Sequence, residues 1–290
     1  MSAQSSSAAL PDHLNVFEDR LHSLERQRAI YTLLGLGITA LIVWFGIKVA
    51  NEQNASPFSV GISKFFDYPL DMIGEAWEAG WSWPPLLAKY FPELLATFNM
   101  AFFSTFLGFC FAVVLSCFAS ANLIKNPWIV QAVRRFLDIT RSFPELVIAM
   151  IFLYLMGKNE LPAIIAITIH TTGALGKLFS EAIENIDPKP LDGLQSAGAG
   201  WVKRVRFAVL PQVLPLFFSY GLLRLEINVR ASTILGFVGA GGIGEALSTV
   251  IQWRYGDEII AIMVLLILTI TFLDYFSSYL RGRLIGGARS

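Results

Sequence analysis

The sequence predicts an all-α membrane protein with six transmembrane helices and both termini in the cytoplasm. Hydrophobic residues make up 54% of the 290 residues and charged residues only 15%, whereas soluble domains carry about 25% charged residues. The charges are also segregated, which leaves apolar runs near the length of about 20 residues that crosses roughly 30 Å of hydrocarbon. A third observation, the distribution of lysine and arginine, gives the orientation.

Six mainly apolar stretches supply the predicted spans. They lie at about 29–50, 94–119, 133–157, 161–181, 207–229 and 258–280. The second and sixth are the plainest, because Leu94–Ser120 and Ile259–Leu273 contain no charged residue. The third, fourth and fifth include polar residues, so their assignment depends more on the charges between them.

Basic residues alternate between the segments that join these spans. Thirteen lysines and arginines lie in the segments assigned to the cytoplasm: Arg20, Arg26, Arg28, Lys125, Arg134, Arg135, Lys189, Lys203, Arg204, Arg206, Arg281, Arg283 and Arg289. The other segments hold four, or six when Lys48 and Arg230 at the outer ends of two spans are added. Cytoplasmic loops carry the excess of positive charge, so the pattern supports six spans with both ends inside.

The spans divide the chain into four segments. Residues 1–28 form a polar cytoplasmic tail, 29–50 an uncleaved first helix, 51–93 an extracytoplasmic segment and 94–285 the core. The extracytoplasmic segment is rich in aromatic residues and proline, with Trp77, Trp81, Trp83, Pro84, Pro85 and Tyr90. Tryptophan and tyrosine favour the headgroup interface, which predicts a short interfacial helix, although an ordinary ordered loop explains the composition equally well.

A polar insert at 187–206 joins the fourth and fifth spans on the cytoplasmic side. The prolines in Asp187–Pro190 end the preceding helix, and Asp192 is expected to cap a new short helix. Gly198 and Gly200 would stop or turn that helix. Such a helix could sit in a groove of a soluble partner and carry its motion into the spans, but an amphipathic loop at the inner surface is the plainer alternative.

The insert resembles the EAA loop by which permeases of ABC importers contact their ATPases. That pattern is Glu-Ala-Ala, three residues, Gly, nine residues and Ile-x-Leu-Pro. The corresponding residues here are Asp192, Gly193, Leu194, Gly198, Ala208, Leu210 and Pro211. Gly198, Leu210 and Pro211 match and Asp192 is a conservative replacement for glutamate, while the other three positions depart from the pattern.

A wider stretch resembles the phosphonate-transporter permease subfamily. The similarity rests on EAIENIDP at 181–188, GA at 198–199, VLPQVLP at 209–215 and RASTILGFVGAGGIG at 230–244, and it covers roughly 90–285. The subfamily handles phosphonates and, in some members, phosphite or hypophosphite. The resemblance implies a type I ABC importer permease fold in a bacterial inner membrane.

The resemblance also implies partners and roles. A second copy of the chain, two ATP-binding subunits that use ATP and magnesium, and an extracytoplasmic substrate-binding protein would complete the importer. No nucleic-acid partner is expected. The residues implied in ATPase coupling are Asp192, Gly193, Leu194, Gln195, Ala197, Gly198, Leu210 and Pro211.

The stretch 239–244 fits the dinucleotide-binding pattern G-x-G-x-x-G but lacks its context. That pattern needs a strand before it and a helix after it, whereas a predicted span precedes this stretch and places it on the outer side. We expect its glycines to let the backbone fold back near an outer gate: Gly239, Gly241, Gly242 and Gly244. The chain also contains no Walker A motif, so we predict that it is not an enzyme, binds no cofactor and depends on a partner for ATP hydrolysis.

Polar residues within the spans are candidates for a translocation path, because charges in a bilayer usually face a cavity or a partner. The candidates are His170, Thr171, Arg224, Glu226, Asn228, Arg230, Ser232 and Thr233. Glu226 can pair directly with only one of Arg224 and Arg230, which leaves a cation suited to an oxyanion. In the third span, Asp138, Arg141 and Glu145 share one helix face by their spacing and could instead neutralise one another.

Three alternatives remain open at this level. The permease could carry methionine or another organic solute. A membrane-embedded enzyme acting on a phosphorylated lipid could use Asp138, Glu145, His170 and Arg224 as its polar cluster. A passive channel or scaffold would explain the charges in the spans but not the cytoplasmic insert. The scattered histidines show no metal-ligand spacing, so no metal site is predicted.

Overall fold

The computed structural model describes residues 10–53, 61–62 and 64–286, and no strand occurs in these ranges. Eleven α-helices in these ranges are numbered in chain order: α1 Leu10–Gln53, α2 Asp67–Glu78, α3 Pro84–Ala119, α4 Pro127–Ser142, α5 Glu145–Met156, α6 Leu161–Glu184, α7 Pro188–Ser196, α8 Trp201–Arg204, α9 Leu210–Leu235, α10 Gly242–Trp253 and α11 Gly256–Gly286. Two π-helical segments, Val205–Val209 and Gly236–Ala240, flank α9. The molecule divides into two compact units, 1–69 and 70–290.

The described part of the first unit consists mainly of α1. This helix of 44 residues covers the predicted first span and also the tail residues from Leu10 onward. Its stretch Arg20–Glu52 is long and apolar enough to cross a membrane. Large apolar side chains are exposed along it, among them Leu33, Leu41 and Trp44, as expected for a helix whose surroundings are lipid.

The second unit contains four further helical stretches long and apolar enough to cross a membrane. They are Gly80–Ala119, Leu161–Glu184, Trp201–Ala240 and Gly256–Leu284, and each contains one of the predicted spans. Among the described residues this gives five candidate spans, and a sixth if the bent pair of α4 and α5 counts as one span.

The predicted third span, 133–157, is not one helix. α4 and α5 meet at an angle of 80°, and Phe143 between them has extended backbone angles, φ −78° and ψ 129°. Pro144 causes this break, because proline disfavours the helical conformation of the residue before it. The single face predicted for Asp138, Arg141 and Glu145 is therefore wrong, since Glu145 begins the next helix.

The fifth and sixth spans extend beyond their predicted ends. The fifth was expected to end at residue 229, but α9 continues to Leu235. Arg230 therefore lies inside the helix and not at its outer end. The sixth continues to Gly286, which places Arg281 within a helix as well.

Small residues bring α6 close to its neighbours. A Cβ atom added at Gly108 of α3 would lie 2.8 Å from the Thr171 Cβ of α6. One added at Gly173 of α6 would lie 2.8 Å from the Leu137 carbonyl oxygen of α4. Because lipid tails are as apolar as the side chains, such close packing is a main source of helix association in membranes. α6 is thus held between α3 and α4.

Two apolar clusters fill the bundle on either side of these crossings. The cluster beside α7 includes Phe179 and Phe217, whose stacked rings have centroids 3.8 Å apart. The cluster beside the Gly236–Ala240 segment includes Met100, Ile167 and Leu235. The polar residues described next lie between these two layers or at their ends.

Replacing Gly173 by alanine should destabilise the bundle. The added methyl group would contact the backbone of α4, and overpacking of this kind costs about 1–3 kcal/mol. The measurement is thermal unfolding of the purified protein in detergent, with Gly282→Ala as the control because a Cβ atom at Gly282 meets nothing within 4 Å. An unfolding temperature equal to that of the wild type would contradict the described crossing of α4 and α6.

Candidate functional site

The polar insert at 187–206 forms the short helix α7, which begins earlier than predicted. Asp187 caps it by accepting a hydrogen bond from the Lys189 N–H at 3.0 Å. Pro188 occupies the first helical position, where proline is favoured because that N–H has no helical partner. The prediction that Asp192 caps the helix is therefore wrong, and Asp192 lies exposed in its middle.

The end of α7 follows the prediction. Gly198 has φ +75°, a left-handed conformation that glycine adopts without a steric penalty. The Ala199 N–H donates to the Leu194 carbonyl at 2.9 Å, which is the hydrogen bond of a Schellman helix end. Gly200 then turns the chain into α8.

α7 has one face against the bundle and one face exposed. Leu191 is buried in the apolar cluster and Leu194 packs against it. The exposed residues include most of those predicted to meet an ATPase: Asp192, Gly193, Gln195, Ala197 and Gly198. Leu210 and Pro211 lie apart from this face, in the first turn of α9.

Gln212 of α9 attaches the start of α7 to the bundle, a role that the sequence did not indicate. Its Oε1 atom accepts a hydrogen bond from the Asp187 N–H at 3.0 Å. Its Nε2 atom donates to the Ala208 carbonyl at 2.7 Å and to the Asp187 carbonyl at 3.4 Å. The backbone between α6 and α7 is thereby tied to the first turn of α9.

The other end of α7 is attached through α8. The Arg204 Nη1 atom donates to the Gln195 Oε1 atom at 2.9 Å. Trp201 stacks on Phe118 of α3, with ring centroids 5.6 Å apart. A displacement of α7 would therefore be transmitted both to α9 and to α3.

Glu145, His170 and Arg224 form a polar cluster inside the bundle. The Glu145 Oε2 atom lies 2.9 Å from His170 Nδ1 and 3.8 Å from Arg224 Nη2. Arg224 Nη2 also contacts His170 Nδ1, and Arg224 Nε lies 3.5 Å from the Thr171 hydroxyl. The Arg224 side chain is only 13% exposed, so these neighbours, and not water, must stabilise its positive charge.

A second polar contact lies one helical turn further along α9. Asn228 is fully buried, and its Nδ2 atom donates to the hydroxyls of Thr105 at 2.8 Å and Thr171 at 2.9 Å. Ser232 is also buried, and Thr233 donates to its own helix at the Val229 carbonyl. The predicted path residues Thr171, Asn228 and Ser232 thus belong to the helix contacts of α3, α6 and α9.

Arg230 forms a separate, well-matched ion pair with Asp274 of α11. Its Nη2 atom lies 2.8 and 3.0 Å from the two carboxylate oxygens of Asp274, and it also contacts Glu226 at 3.3 Å. Arg281 lies 3.9 Å from Glu226. The expectation that one of the two arginines lacks a carboxylate is therefore wrong, because Glu145 and Asp274 come from helices that the sequence spacing could not relate to α9.

The glycine-rich stretch is a tight turn between α9 and α10. Gly239, Gly241 and Gly242 have φ of 108°, 93° and 69°, and the Ile243 N–H donates to the Thr97 hydroxyl at 2.9 Å. A Cβ atom at Gly244 would clash with the Thr233 carbonyl. Close packing and positive φ thus account for these glycines, and an α-helix precedes them where a dinucleotide site would have a strand.

The comparison with protein families decides the class. Residues 112–286 match the model of the binding-protein-dependent transport system inner membrane component family. The chain belongs to this family. It is a multi-pass inner-membrane protein and the permease subunit of an ABC importer.

Curated relatives support the same assignment. The chain is 36% identical over 206 residues to the phosphite transport system permease protein PtxC of Stutzerimonas stutzeri, covering 70% of this chain and 75% of that protein. It is 47% identical over 121 residues to the putative cryptic phosphonate transport system permease protein PhnE2 of Escherichia coli strain K12, covering 42% of this chain and 99% of that protein. These relatives are transporter subunits, which argues against the membrane-enzyme alternative.

Solved structures share the fold. The inward-facing methionine ABC transporter MetNI matches with a TM-score of 0.61 at 20% identity, covering 69% of this chain and 98% of that chain. An amino acid ABC transporter with histidines matches with a TM-score of 0.56 at 16% identity, covering 70% and 95%. The structural similarity shows that the chain has the same fold as these permeases. At such low identities it carries no information about cargo.

Among the described residues, no group of three histidine, cysteine, aspartate or glutamate side chains is placed to hold a metal ion. The candidate functional features in the described part of the chain are the exposed face of α7, the polar cluster around Arg224 and the glycine turn. α6 and α9 contribute to all three or lie directly beside them.

Proposed function

We propose that this permease forms the membrane path of an importer for a small phosphorus oxyanion such as a phosphonate, phosphite or hypophosphite. The observation that carries the proposal is the similarity to permeases named for phosphite and phosphonate, at 36% and 47% identity. The D-methionine permease MetI of Vibrio cholerae is more distant, at 25% identity over 170 residues. Methionine is therefore the weaker candidate.

The proposed assembly has two copies of this chain, with the termini of each in the cytoplasm. Two ATP-binding subunits, which hold ATP and magnesium, dock on the α7 helices, and an extracytoplasmic protein delivers the cargo. The glycine turn at 239–242 lies at the outer gate of the path. This arrangement is supported by the family, which is named for dependence on a binding protein, and by the excess of basic residues in the segments assigned to the cytoplasm.

In the proposed cycle, closure of the ATP-binding subunits presses on the exposed residues of α7. The buried face of α7, through Leu191, and the Gln212 attachment pass this displacement to the bundle. The path then opens outward to the cargo-loaded binding protein, and ATP hydrolysis restores the inward-facing state. Asp192, Gly193, Gln195, Ala197 and Gly198 are the proposed contact surface for the ATPase.

The polar interior suits an anion that is bound weakly. Arg224 supplies a guanidinium group inside the bundle. The Thr171 hydroxyl lies 3.5 Å from its Nε atom, and that hydroxyl also accepts a hydrogen bond from the Asn228 amide. Guanidinium groups match the oxygens of phosphorus oxyanions. A path of this kind can guide an anion without a site so tight that it traps the cargo.

The cargo proposal predicts which ligand stimulates ATP hydrolysis. The tagged permease is purified from the cells that naturally make it, together with its ATP-binding and substrate-binding partners, and the complex is placed in lipid nanodiscs. Addition of the binding protein with phosphite, hypophosphite or methylphosphonate should increase ATP hydrolysis several-fold over the binding protein alone. Stimulation by methionine and by none of the phosphorus compounds would overturn the cargo assignment while leaving the importer class intact.

The Gln212 attachment predicts an uncoupled variant. Gln212→Leu keeps a similar side-chain volume but removes the three hydrogen bonds to Asp187 and Ala208. ATP hydrolysis should still respond to the loaded binding protein, while cargo taken up per ATP falls by roughly fivefold to tenfold, given typical hydrogen-bond energies. The measurement is the ratio of uptake to hydrolysis in proteoliposomes.

Gln252→Leu is the matched control, because Gln252 lies on α10 and bonds only locally to Ser248. Gln212→Glu, which can still accept from the Asp187 N–H but cannot donate, should give an intermediate ratio. An unchanged ratio in Gln212→Leu would show that α7 is coupled to the bundle by other contacts.

A further inference from the structure

The two arginines within α9 are paired in different ways. The Nη2 atom of Arg230 lies 2.8 and 3.0 Å from the two oxygens of Asp274, which are distances of charge-assisted hydrogen bonds. Arg224 lies 3.8 Å from the nearer oxygen of Glu145, which is an ion-pair distance but too long for a hydrogen bond. Arg224 is the more buried of the two, with 13% of its side chain exposed against 39% for Arg230. The deeper cation therefore has the poorer carboxylate partner.

His170 connects this pair but cannot satisfy both of its neighbours at once. Its Nδ1 atom lies 2.9 Å from Glu145 Oε2 and also contacts Arg224 Nη2. When Nδ1 carries a proton it donates to Glu145, and when it carries a lone pair it accepts from Arg224. In either state one of the two charged groups loses a hydrogen bond. When Nδ1 carries the proton, it is Arg224 that lacks an acceptor, and an additional anion could supply one.

A cavity of about 350 Å³ adjoins this cluster. Its walls are formed by Pro144, Glu145, Leu146, His170, Ala231, Ile234 and Leu235. Binding pockets of about 300–1,000 Å³ hold drug-sized molecules, so the volume is ample for an anion with a single phosphorus atom. Of these lining residues, only Glu145 and His170 are ionisable. Arg224 does not line the cavity itself but contacts both of these side chains.

We infer that the Glu145 carboxylate is an internal substitute for the cargo, which the phosphorus oxyanion displaces from His170 and Arg224 during transport. This inference rests on the proposed function. Without cargo, an unpaired guanidinium buried in the bundle would be costly, and Glu145 supplies the required negative charge. With cargo, the two oxygens of hypophosphite or the three of phosphite and phosphonates offer the acceptors that one carboxylate at 3.8 Å cannot.

The position of Glu145 in the chain suits such an exchange. It is the first residue of α5, directly after the break at Phe143–Pro144. A carboxylate at a helix N-terminus is stabilised by the helix dipole and the free N–H groups there. Glu145 can therefore leave Arg224 while keeping favourable neighbours in its own helix.

Exchange of one anion for another also keeps the cargo from being trapped. The energy gained by the oxyanion on Arg224 is offset by the loss of the Glu145 contact, so net binding stays weak even though the individual interactions are strong. Weak net binding is what a path needs when a separate protein captures the cargo. The same competition explains why the site would be hard to detect in the wild-type protein.

Removal of the Glu145 charge should therefore uncover an anion site. The probe is radiolabelled phosphite, measured by equilibrium dialysis against the detergent-purified complex of permease and ATP-binding subunits, without the binding protein. Glu145→Gln keeps the side-chain shape and should bind phosphite about tenfold or more tightly than the wild type, since one competing charge-assisted interaction is removed. The double variant Glu145→Gln with Arg224→Gln should lose this gain.

Asp274→Asn is the matched control, because it removes the carboxylate partner of the other arginine, outside the cavity. It should not increase phosphite binding. Glu145→Asp retains the charge on a shorter side chain and should give an intermediate gain. This variant tests the inference even if Glu145→Gln fails to assemble.

The inference is overturned if neither Glu145 variant binds phosphite more tightly than the wild type, or if Asp274→Asn gains as much as they do. The proposed function is tested separately by the ATP hydrolysis of the wild-type complex with its loaded binding protein. A wild-type complex that responds to phosphorus oxyanions, combined with Glu145 variants that show no gain, would reject only the internal-substitute role.

Discussion

The pairing of charges inside an apolar bundle is the constraint on which this structure depends. In hydrocarbon no water is present to hydrate a charged group, so the protein must supply its partner. Arg224 obtains Glu145 and His170, and Arg230 obtains Asp274. Each pairing requires α9 to lie in one register against α5 and α6 on one side and against α11 on the other.

The same bundle holds both ends of α7 in place. α6 lies close against α3 and α4 through glycine contacts, so it cannot move independently of them. The helix α7 follows it directly and is tied to α9 through Gln212 and, through Trp201 of α8, to α3. In the proposed cycle, a push on α7 is therefore transmitted to α6 and α9, the helices that carry His170 and Arg224.

The sequence predicted the features that depend on local composition. Hydropathy located the helices around residues 94–119, 161–181, 207–229 and 258–280, and Gly198 marked the end of α7. It missed the break at Pro144, because hydropathy does not report the direction of the backbone, and proline also occurs within a continuous helix, as Pro215 does in α9. It also placed the cap of α7 at Asp192 instead of Asp187, since both residues are aspartates and either can cap a helix.

The remaining misses concern partners that are distant in the chain. Asp274 lies 44 residues from Arg230 and Gln212 lies 25 residues from Asp187, so only the packing of the helices brings them together.

Uptake of radiolabelled phosphite or methylphosphonate into proteoliposomes holding the complete complex most directly tests the proposed import of a phosphorus oxyanion. Accumulation that requires ATP and the binding protein is the predicted result. Failure to accumulate any phosphorus oxyanion, in vesicles that accumulate another cargo with ATP, would contradict it.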